Sequence, residues 1–565
     1  MRSTTLIEID RRLSRQAVPL HAPSYAHGPS EVPLLGETIG ECLRRTVARF
    51  GRREALVVPH QDYRATYDEL WDQVDVAARA LLAHGVGMGE RVGIWAPNRY
   101  EWVVTQLAAA RVGAILVTIN PAYESGELAY ALKKAGVSVL VLSRGFRKAD
   151  YVGMLAGVRG SCPDLREAIV LEDDWEEFLA ASERVGDEEL AEREAWLQFD
   201  DAINIQYTSG TTGFPKGATL THHNILNNAY FTARTLDYGE VDRACVPVPF
   251  YHCFGMVLGT LACITHGACI VVPGEAFDPG AVLETVANER CTSLCGVPTM
   301  FIAELEHTEF GRFDLSSLRT GMMGGAPCPV EVMKKVRTQM HMDEVTIVCG
   351  MTETSPVSTQ TALDEPIEKQ VTTVGRVHPH LEMKIVDPAT GVIVPRGTPG
   401  EQCTRGYSVM LGYWDDDQAT HHAIDTAGWM HTGDIAVMDD EGYVSIVGRI
   451  KDMIIRGGEN VYPREIEEFL YGHPDIVDVQ VIGVPDVRYG EEIMAWVKVR
   501  DGAQLDTDAV RRYCQDRIAH FKVPRYVHVT DEFPMTITGK VQKFKMREAS
   551  VERLGLQDAA AVRNA

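Results

Sequence analysis

The sequence predicts an α/β fold for a large N-terminal domain, followed by a smaller α+β C-terminal domain. The chain has 565 residues, 45% of them hydrophobic and 24% charged, which is a globular composition too long for one ordinary core. From about residue 38 to 340, short apolar runs alternate with helical periods, and beyond Lys451 the pattern becomes a compact mixture of helices and strands. Alternating strands and helices predict a largely parallel sheet covered by helices.

The N-terminal half supplies the first strand–helix repeats. The segment ELWDQVDVAARALLAHG places Leu70, Val74, Ala77 and Leu81 on one helical face, and Gly85 is suited to end the helix. The strand-like runs RVGIWAP, GAILVTINP and SVLVLS follow, separated by helical segments. Because one such pass precedes residue 200 and another follows it, we expect two α/β subdomains in the larger domain.

Two further units complete the predicted architecture. Between about 371 and 450, LEMKIVDPATGVIVPRGTPGEQCTRG contains short strands joined by proline and glycine turns, which predicts a small antiparallel β-barrel. After Lys451, EIEEFLYGHP and DTDAVRRYCQDRIA have helical patterns, while DVQVIGVP and IMAWVKVR are strand-like. We therefore divide the chain into an N-terminal extension (1–37), a large domain (38–450) and a small C-terminal domain (451–565).

The charge balance excludes one broad class of function. Lysine and arginine total 55 while aspartate and glutamate total 79, so the net charge is −24. A general nucleic-acid binder needs a basic face, and we therefore expect no nucleic-acid partner. The most apolar stretch, 255–274, is interrupted by Thr260, Thr265, His266 and Gly267. We expect it to form a buried strand and helix, and we expect no transmembrane segment.

Cysteine usage and the N-terminus indicate a cytoplasmic protein. The twelve cysteines form no CxxC pair, which argues against zinc ribbons and disulfide frameworks and fits a reducing compartment. No apolar segment near the start is long enough for a secretory signal. The arginines near the N-terminus would suit a mitochondrial transit peptide, but such peptides are poor in acidic residues and this stretch contains Glu8 and Asp10. The sequence leaves the oligomeric state open, with a homodimer as one alternative.

The strongest local signal is YTSGTTGFPKG at 207–217. Hydroxyls, glycines that allow close approach and a positive charge are what a polyphosphate requires, and they are supplied here by Ser209, Gly210, Thr211, Thr212, Gly213 and Lys216. AINIQ before the segment is strand-like, and THHNILNNAYFTARTL after it is helical. A P-loop of the GxxxxGK[ST] type is excluded because Pro215 precedes Lys216 and Gly217 follows it.

This segment resembles the phosphate loop of the adenylate-forming enzymes, and five further motifs also resemble theirs. That family includes acyl-CoA synthetases, aryl-CoA ligases, luciferases and peptide-synthetase adenylation domains. GGAP (324–327) resembles a segment lining their adenine and acyl pockets, and CGMTE (349–353) resembles their aromatic-Gly-x-Thr-Glu motif. GWMHTGDIA carries Asp434, GRIKDMIIRGG carries Arg449 and Lys451, and PMTITGKVQK carries Lys540. The resemblance covers about residues 38–550 and is strongest to medium-chain fatty acyl-CoA synthetases, through FYHCFGM and SYAHGPSEVPL.

The resemblance implies a role for each of these residues. Thr208 and Glu353 would hold Mg²⁺, and Lys540 would be the catalytic lysine. The ATP and AMP site would comprise Ser209, Gly210, Thr211, Thr212, Gly213, Lys216, Gly324, Gly325, Ala326, Cys349, Gly350, Met351, Thr352, Asp434 and Arg449, with Asp434 accepting hydrogen bonds from the ribose. The acyl pocket would be formed by Tyr251, His252 and Gly324. Lys451 would be the hinge about which a mobile C-terminal domain rotates against an AMP-binding adenylation domain.

The implied activity is ATP-dependent activation of a medium- to long-chain fatty acid through an acyl-adenylate. Transfer to coenzyme A would then give acyl-CoA, AMP and pyrophosphate. Mg²⁺ is the expected cofactor, with ATP, coenzyme A and the fatty acid as small-molecule partners. Three alternatives stay open: an aryl-acid or dicarboxylate CoA ligase, transfer to a carrier protein, and a non-catalytic acyl-nucleotide sensor.

One position departs from the pattern of the family. Cys349 occupies the place of the aromatic residue that stacks on adenine in the resembling enzymes. A thiol offers less contact area than a ring. We therefore expect weaker ATP binding, by about 1–3 kcal/mol as judged from base–aromatic contacts.

Overall fold

The computed structural model describes residues 22–208, 215–457, 459–500, 502–503, 505–515, 517–536, 540–557 and 559. Within these residues, three large sheets build the N-terminal domain and a fourth builds the C-terminal domain. A two-stranded ribbon adds Gly145–Phe146 and Ala149–Asp150. The predicted class is confirmed: α/β with an antiparallel unit for the larger domain, and α+β for the smaller one.

The first sheet is mostly parallel. Its described strands, in spatial order, are Gly412–Tyr413, Lys216–Thr221, Ala202–Thr208, Ile115–Thr118, Arg91–Trp95, Val137–Leu142 and Glu167–Val170. The last five are parallel, whereas Lys216–Thr221 runs antiparallel to Ala202–Thr208. The segment 207–217 therefore connects two paired strands, and the helix His222–Thr235 follows the second of them. The helix starts later because Thr221 caps it, accepting a hydrogen bond from the Asn224 backbone N–H at 3.0 Å.

The second sheet is parallel at its centre and antiparallel at both edges. Its described strands, in spatial order, are Arg376–Val377, Val357–Gln360, Glu344–Gly350, Thr320–Gly324, Ser293–Gly296, Arg243–Cys245, Cys269–Val271, Glu54–Val58 and Tyr63–Thr66. The two last strands precede every strand of the first sheet along the chain, yet they pair here because Val57 lies beside Val271. The two α/β subdomains are thus interleaved in sequence, and they do not divide near residue 200.

The third sheet is antiparallel, as the proline and glycine turns of its sequence predicted. Its described strands form an open sheet and not the expected closed barrel, because the two edge strands do not pair with each other. Its described strands, in spatial order, are Tyr25–His27, Leu381–Val386, Gly400–Gly406, Met430–Met438 and Val444–Arg449. The edge strand comes from the N-terminal extension, where the Tyr25 hydroxyl donates to Glu382 at 2.7 Å. Part of that extension therefore belongs structurally to the N-terminal domain.

The C-terminal domain is built on a hairpin with three partner strands. Ile476–Asp486 and Gly490–Val499 form the hairpin, and the remaining described strands are Ile454–Arg456, Glu459–Val461 and Tyr526–Val529. Polar contacts between described residues join this domain to the larger one. Glu468 accepts a hydrogen bond from the Val330 N–H at 3.5 Å, and Arg500 pairs with Glu306 at 3.6 Å.

Both halves of the sequence contribute helices that pack on the sheets. The described α-helices are Ile39–Phe50, Tyr67–Ala83, Tyr100–Val112, Ser125–Ala135, Tyr151–Val158, Trp175–Ala180, Asp187–Ala195, His222–Thr235, Ala262–His266, Pro279–Glu289, Pro298–Leu305, Val330–Gln339, Ile367–Thr372, Asp417–Ala423, Pro463–Tyr471, Thr507–Cys514 and Lys543–Leu554. A π-helix spans Phe254–Leu261. Within the described residues, none of these helices has both the length and the apolar character needed to cross a bilayer.

One apolar core joins the first two sheets. It contains Ile94 and Leu116 from the first sheet, Leu56 and Ile270 from the second, and Trp102 from the helix Tyr100–Val112. That helix is buried along almost its whole length, which explains its lack of a polar face. A shared core makes the two sheets a rigid support for the residues at their strand ends.

Candidate active site

The predicted site residues lie at strand ends of the N-terminal domain and meet one side chain from the C-terminal domain. Thr208, Gly324 and Gly350 are each the last residue of a strand. In open α/β sheets, ligands bind beyond the carboxyl ends of the strands. Lys540 reaches the same place, because a Cβ at Gly325 would lie only 3.6 Å from Lys540 Cε.

Glu353 is buried at this edge, with 5% of its surface exposed. Its Oε1 accepts hydrogen bonds from the Tyr413 hydroxyl at 2.8 Å and from the Thr208 hydroxyl at 3.3 Å. Lys216 Nζ lies 5.0 Å from the centre of the Tyr413 ring, so the phenol lies between a carboxylate and a cation. A carboxylate beside a threonine hydroxyl is an all-oxygen donor pair of the kind that Mg²⁺ prefers.

Sequence reasoning missed Tyr413. This residue reaches Glu353 because Gly412–Tyr413 pairs antiparallel with Lys216–Thr221 at the edge of the first sheet. Tyr413 and Glu353 are distant along the chain, so no local motif predicts their contact. The only cue in the sequence is the strand-like GYW, which by itself predicts no partner.

Asp434 and Arg449 form an ion pair on the third sheet. They lie opposite each other on the antiparallel strands Met430–Met438 and Val444–Arg449, and Arg449 Nε donates to Asp434 Oδ1 at 2.9 Å. Burial raises the pKa of Asp434, and the Arg449 charge opposes that shift. Only one oxygen of the carboxylate is engaged by this bond, which leaves the other available to accept from a ligand.

Lys540 is a cation that the C-terminal domain brings to this cleft. Burial lowers the pKa of Lys540, and the positive charge of Arg449 lowers it further, while Glu353 and Asp434 act in the opposite direction. A buried ammonium surrounded by a cation and two carboxylates is stabilised by any anion that enters the site. The residues predicted to act on ATP are therefore electrostatically coupled in the folded chain.

Two glycines of the predicted nucleotide site are fixed by close backbone approach. A Cβ at Gly324 would lie 2.6 Å from the Val348 carbonyl oxygen, and one at Gly350 would lie 1.8 Å from the Pro356 carbonyl oxygen. Gly325 has a φ of +78°, which favours glycine. The GGAP and CGMTE segments are therefore held side by side, with Gly324 and Val348 paired in the second sheet.

The other predicted nucleotide-site residues continue from these strand ends. Met351 N–H donates to the Pro356 carbonyl at 2.9 Å, and Thr352 starts the buried turn Thr352–Thr354 that carries Glu353. The Ala326 carbonyl oxygen accepts a weak hydrogen bond from a cysteine thiol at 3.5 Å. The five loop residues Ser209, Gly210, Thr211, Thr212 and Gly213 lie outside the described residues.

Tyr251 and His252 lie where the predicted acyl pocket meets the π-helix Phe254–Leu261. Burial, with a contribution from the Lys540 charge, lowers the pKa of His252 to about 3, so the imidazole is neutral at pH 7. Its Nδ1 accepts from the Phe254 N–H at 3.3 Å. Burial also raises the pKa of Tyr251. These properties suit an apolar pocket wall and not a general acid or base.

Lys451, the predicted hinge residue, is exposed in the short turn Ile450–Asp452. The turn joins Val444–Arg449, the last strand of the third sheet, to Ile454–Arg456 in the C-terminal sheet. It is the covalent link between the two domains, and its exposure leaves the backbone there little constrained by packing.

Cys349 lies opposite Thr359 in the second sheet and is half-buried. Burial raises the pKa of its thiol to about 12, so it is a neutral small side chain at pH 7. The charges of Asp434, Arg449 and Lys540 all act on it, which locates it at the nucleotide end of the cleft.

Replacing Cys349 with tyrosine is expected to lower the KM for ATP by about 5- to 150-fold, because a ring restores about 1–3 kcal/mol of stacking on adenine. Steady-state kinetics with varied ATP would measure this change. Cys349→Ser is the matched control and should leave the KM almost unchanged. A wild-type KM that is already low-micromolar and is unaltered in Cys349→Tyr would contradict the stacking argument.

Comparison with known proteins gives two family matches. The model described as "AMP-binding enzyme" matches residues 43–414, and "AMP-binding enzyme C-terminal domain" matches residues 465–540. The two ranges include Thr208, Glu353 and Lys540, whereas Asp434, Arg449 and Lys451 lie between them.

Whole-chain relatives agree with these matches. "Putative acyl-CoA synthetase YngI" of Bacillus subtilis (strain 168) is 47% identical over 549 residues, covering 93% of this chain and 99% of that protein. "Medium-chain acyl-CoA ligase ACSF2, mitochondrial" of Danio rerio is 43% identical over 561 residues, covering 96% and 93%. Among solved structures, the anthranilate CoA ligase AuaEII in complex with anthranoyl-AMP superposes with a TM-score of 0.81 at 26% identity, covering 92% of this chain and 98% of that one.

Proposed function

Because this chain belongs to the AMP-binding enzyme family, we propose that the cleft between its two domains prefers a medium- to long-chain fatty acid. The chain is an AMP-forming acid–CoA ligase: it activates a fatty acid as an acyl-adenylate and transfers the acyl group to coenzyme A. ATP and coenzyme A are its co-substrates and Mg²⁺ its cofactor. The observation that carries the site assignment is the meeting of Glu353, Asp434 and Lys540, which come from distant parts of the chain, in one electrostatically coupled cluster.

Thr208 and Glu353 fit a Mg²⁺ ion. Their two oxygens are 3.3 Å apart, one is a carboxylate oxygen, and the carboxylate is buried where water competes less for the ion. When bound there, Mg²⁺ would offset the negative charge of the ATP phosphates. The Tyr413 hydroxyl donates to the same carboxylate oxygen and thereby fixes its orientation.

In the first half-reaction, a carboxylate oxygen of the fatty acid attacks the α-phosphorus of ATP. The bond from that phosphorus to its bridging oxygen breaks, and pyrophosphate leaves. We assign Lys540 to the oxygens on which negative charge accumulates, since a preorganised buried cation stabilises that charge more than it would in water. Asp434 accepts from the ribose hydroxyls, and Arg449 holds it through their 2.9 Å bond. Both reactants are anions, so positioning and charge neutralisation account for most of the catalysis.

In the second half-reaction, the sulfur of coenzyme A attacks the acyl carbonyl carbon and AMP leaves. We propose that residues 451–565 rotate about Lys451 between the two steps, against an adenylation domain at 38–450. The contacts that have to break include those of Glu468 with Val330 and of Arg500 with Glu306. Such a rotation withdraws Lys540 and opens the adenylate to the thiol.

An apolar tail is the acyl group that the pocket residues favour. Phe250, Tyr251 and Phe254 are buried beside a neutral His252. A dicarboxylate would need a cation for its second carboxylate, and His252 does not supply one at pH 7. A fatty acid ligase is therefore favoured over a dicarboxylate ligase. A non-catalytic sensor is the least favoured of the three, because the similar proteins are named as acyl-CoA synthetases and ligases.

We also propose the cytoplasm as the compartment. All twelve cysteines are free thiols, eleven of them buried, which suits a reducing environment. The relative from Danio rerio is named mitochondrial. Fractionation of cells that express this chain would distinguish the cytoplasm from the mitochondrion.

The substrate proposal is tested by following AMP and acyl-CoA formation across saturated fatty acids of increasing length, with ATP, Mg²⁺ and coenzyme A. We expect the highest kcat/KM with a medium- or long-chain acid and much lower values with benzoate, anthranilate and malonate. A preference for an aryl acid or a dicarboxylate would overturn the proposal, and AMP formation without acyl-CoA would instead indicate a different acceptor.

A further inference from the structure

Three metal-ligating side chains meet on the third sheet, away from the oxygens of Thr208 and Glu353. Glu401 and Cys403 are two residues apart on Gly400–Gly406, at a point where the pairing with Met430–Met438 shifts register, and their ligand atoms lie close together. Cys403 pairs directly with His431 on the neighbouring strand Met430–Met438. The register of two strands therefore brings a carboxylate, a thiol and an imidazole together.

The distances between these groups suit a single metal ion. His431 Nδ1 lies 2.9 Å from Glu401 Oε2 and 3.5 Å from Cys403 Sγ, and all three ligand atoms lie within 4.8 Å of one another. Ligands of a tetrahedral zinc site with ordinary bond lengths are about 3.3–3.7 Å apart. The two measured distances are within about 0.4 Å of this range, so the three groups need only local side-chain adjustment to surround an ion.

The groups around the cluster are arranged to support the ligands. His431 Nε2 lies 3.9 Å from Asp425 Oδ2, and a carboxylate near the outer nitrogen is the usual partner of a metal-bound histidine. The backbone N–H groups of Ala427 and Trp429 each donate to Asp425 Oδ1 at 2.9 Å, which fixes that carboxylate. Lys384, the nearby positive charge, lies 3.8 Å from the same Asp425 and is thereby partly neutralised.

One carboxylate oxygen of Glu401 accepts a backbone hydrogen bond, and the other faces the cluster. Its Oε1 accepts from the Gly433 N–H at 3.1 Å, whereas Oε2 faces His431. Cys403 is fully buried, but about one third of the His431 side chain is exposed, which gives an ion a path from solvent.

We propose that Glu401 Oε2, Cys403 Sγ and His431 Nδ1 bind one Zn²⁺ ion, with a water molecule as the fourth ligand. A thiolate and an imidazole select Zn²⁺ over Mg²⁺, which prefers oxygen ligands alone. On binding, the thiol proton goes to solvent and the imidazole proton moves from Nδ1 to Nε2, where it faces Asp425. The ion joins two strands of the third sheet, and Asp434 lies three residues from His431 on one of them, so the ion stabilises that part of the nucleotide site.

The test uses the full-length protein, freed of metals by a chelator and titrated with Co²⁺ in the presence of excess MgCl₂. One equivalent should produce a thiolate-to-Co²⁺ charge-transfer band in the near ultraviolet and visible bands typical of a tetrahedral site, and Zn²⁺ should displace both. Cys403→Ser should abolish the charge-transfer band, and His431→Gln should weaken Co²⁺ binding by at least about tenfold. The matched controls Cys162→Ser and His422→Gln lie elsewhere and should behave as wild type.

A second readout is thermal unfolding. Zn²⁺ should raise the Tm of the wild type and of both controls, and leave that of Cys403→Ser unchanged, because only a folded site binds the ion. Circular dichroism of the apo variants checks that they fold, and if Cys403→Ser does not, His431→Gln decides. The proposal would be overturned if the wild type showed no charge-transfer band. It would also be overturned if the band persisted in Cys403→Ser, or if it kept its full strength in His431→Gln.

Discussion

Replacing Lys540 with alanine is expected to lower the rate of adenylate formation by about 10²–10³-fold, the usual effect of removing one preorganised group that stabilises transition-state charge. Lys540 is buried in the cleft and coupled to Asp434 and Glu353. The alanine variant leaves both carboxylates without the cation that faces them. Pyrophosphate release in the absence of coenzyme A would measure this step.

The same variant should retain the second half-reaction. Presented with a synthetic acyl-adenylate, Lys540→Ala should form acyl-CoA at a rate within a few-fold of the wild type, because the proposed rotation removes Lys540 before the thiol attacks. Lys545→Ala is the matched control, since that lysine is exposed on the helix Lys543–Leu554. Equal losses in both half-reactions would argue against the rotation, and no loss in the first would argue against the catalytic role.

Replacing Glu353 with glutamine is expected to lower kcat/KM for ATP by about 10- to 150-fold, because a charged hydrogen-bonding group contributes about 1.5–3 kcal/mol. The amide keeps the shape of the side chain and still accepts from Tyr413 and Thr208, but it lacks the negative charge that attracts Mg²⁺. Half-maximal activity should therefore require a higher Mg²⁺ concentration.

A Mg²⁺ titration at saturating ATP distinguishes this role from a purely structural one. Loss of packing alone would reduce the rate equally at every Mg²⁺ concentration, whereas loss of the ion's ligand would be partly rescued as Mg²⁺ increases. Glu368→Gln, at an exposed position of the helix Ile367–Thr372, serves as the control. An unchanged Mg²⁺ requirement in Glu353→Gln would assign the ion to other ligands.

Much of the fold follows from local pattern. The helix Tyr67–Ala83 buries Leu70, Val74, Ala77 and Leu81, the residues that the helical period had placed on one face. The stretch 255–274 forms a buried π-helix, a short helix and a strand, close to the strand and helix expected. Periodicity succeeds in such segments because burial of one face is decided within a few turns.

Long-range pairing is what the pattern could not predict. The placement of Glu54–Val58 in the second sheet depends on Cys269–Val271, and the contact of Tyr413 with Glu353 depends on an edge strand. The helix Lys543–Leu554 was not foreseen either, since its sequence KFKMREASVERL has a weak apolar face. For the site, the motifs predicted which residues take part, whereas the hydrogen bond from Tyr413 to Glu353 depends on the assembled sheets.

The interleaved order of the first two sheets has a consequence for synthesis on the ribosome. Val57 pairs with Val271, so the strand Glu54–Val58 is made long before its neighbour. At about 5–20 residues per second, the roughly 200 intervening residues take on the order of 10–40 s to translate. Throughout that interval a run of apolar residues, Leu56, Val57 and Val58, can pair with Tyr63–Thr66 on one side but lacks its parallel neighbour on the other. Nascent chains of this protein should therefore depend on holding chaperones more than chains whose strands pair in the order they are made.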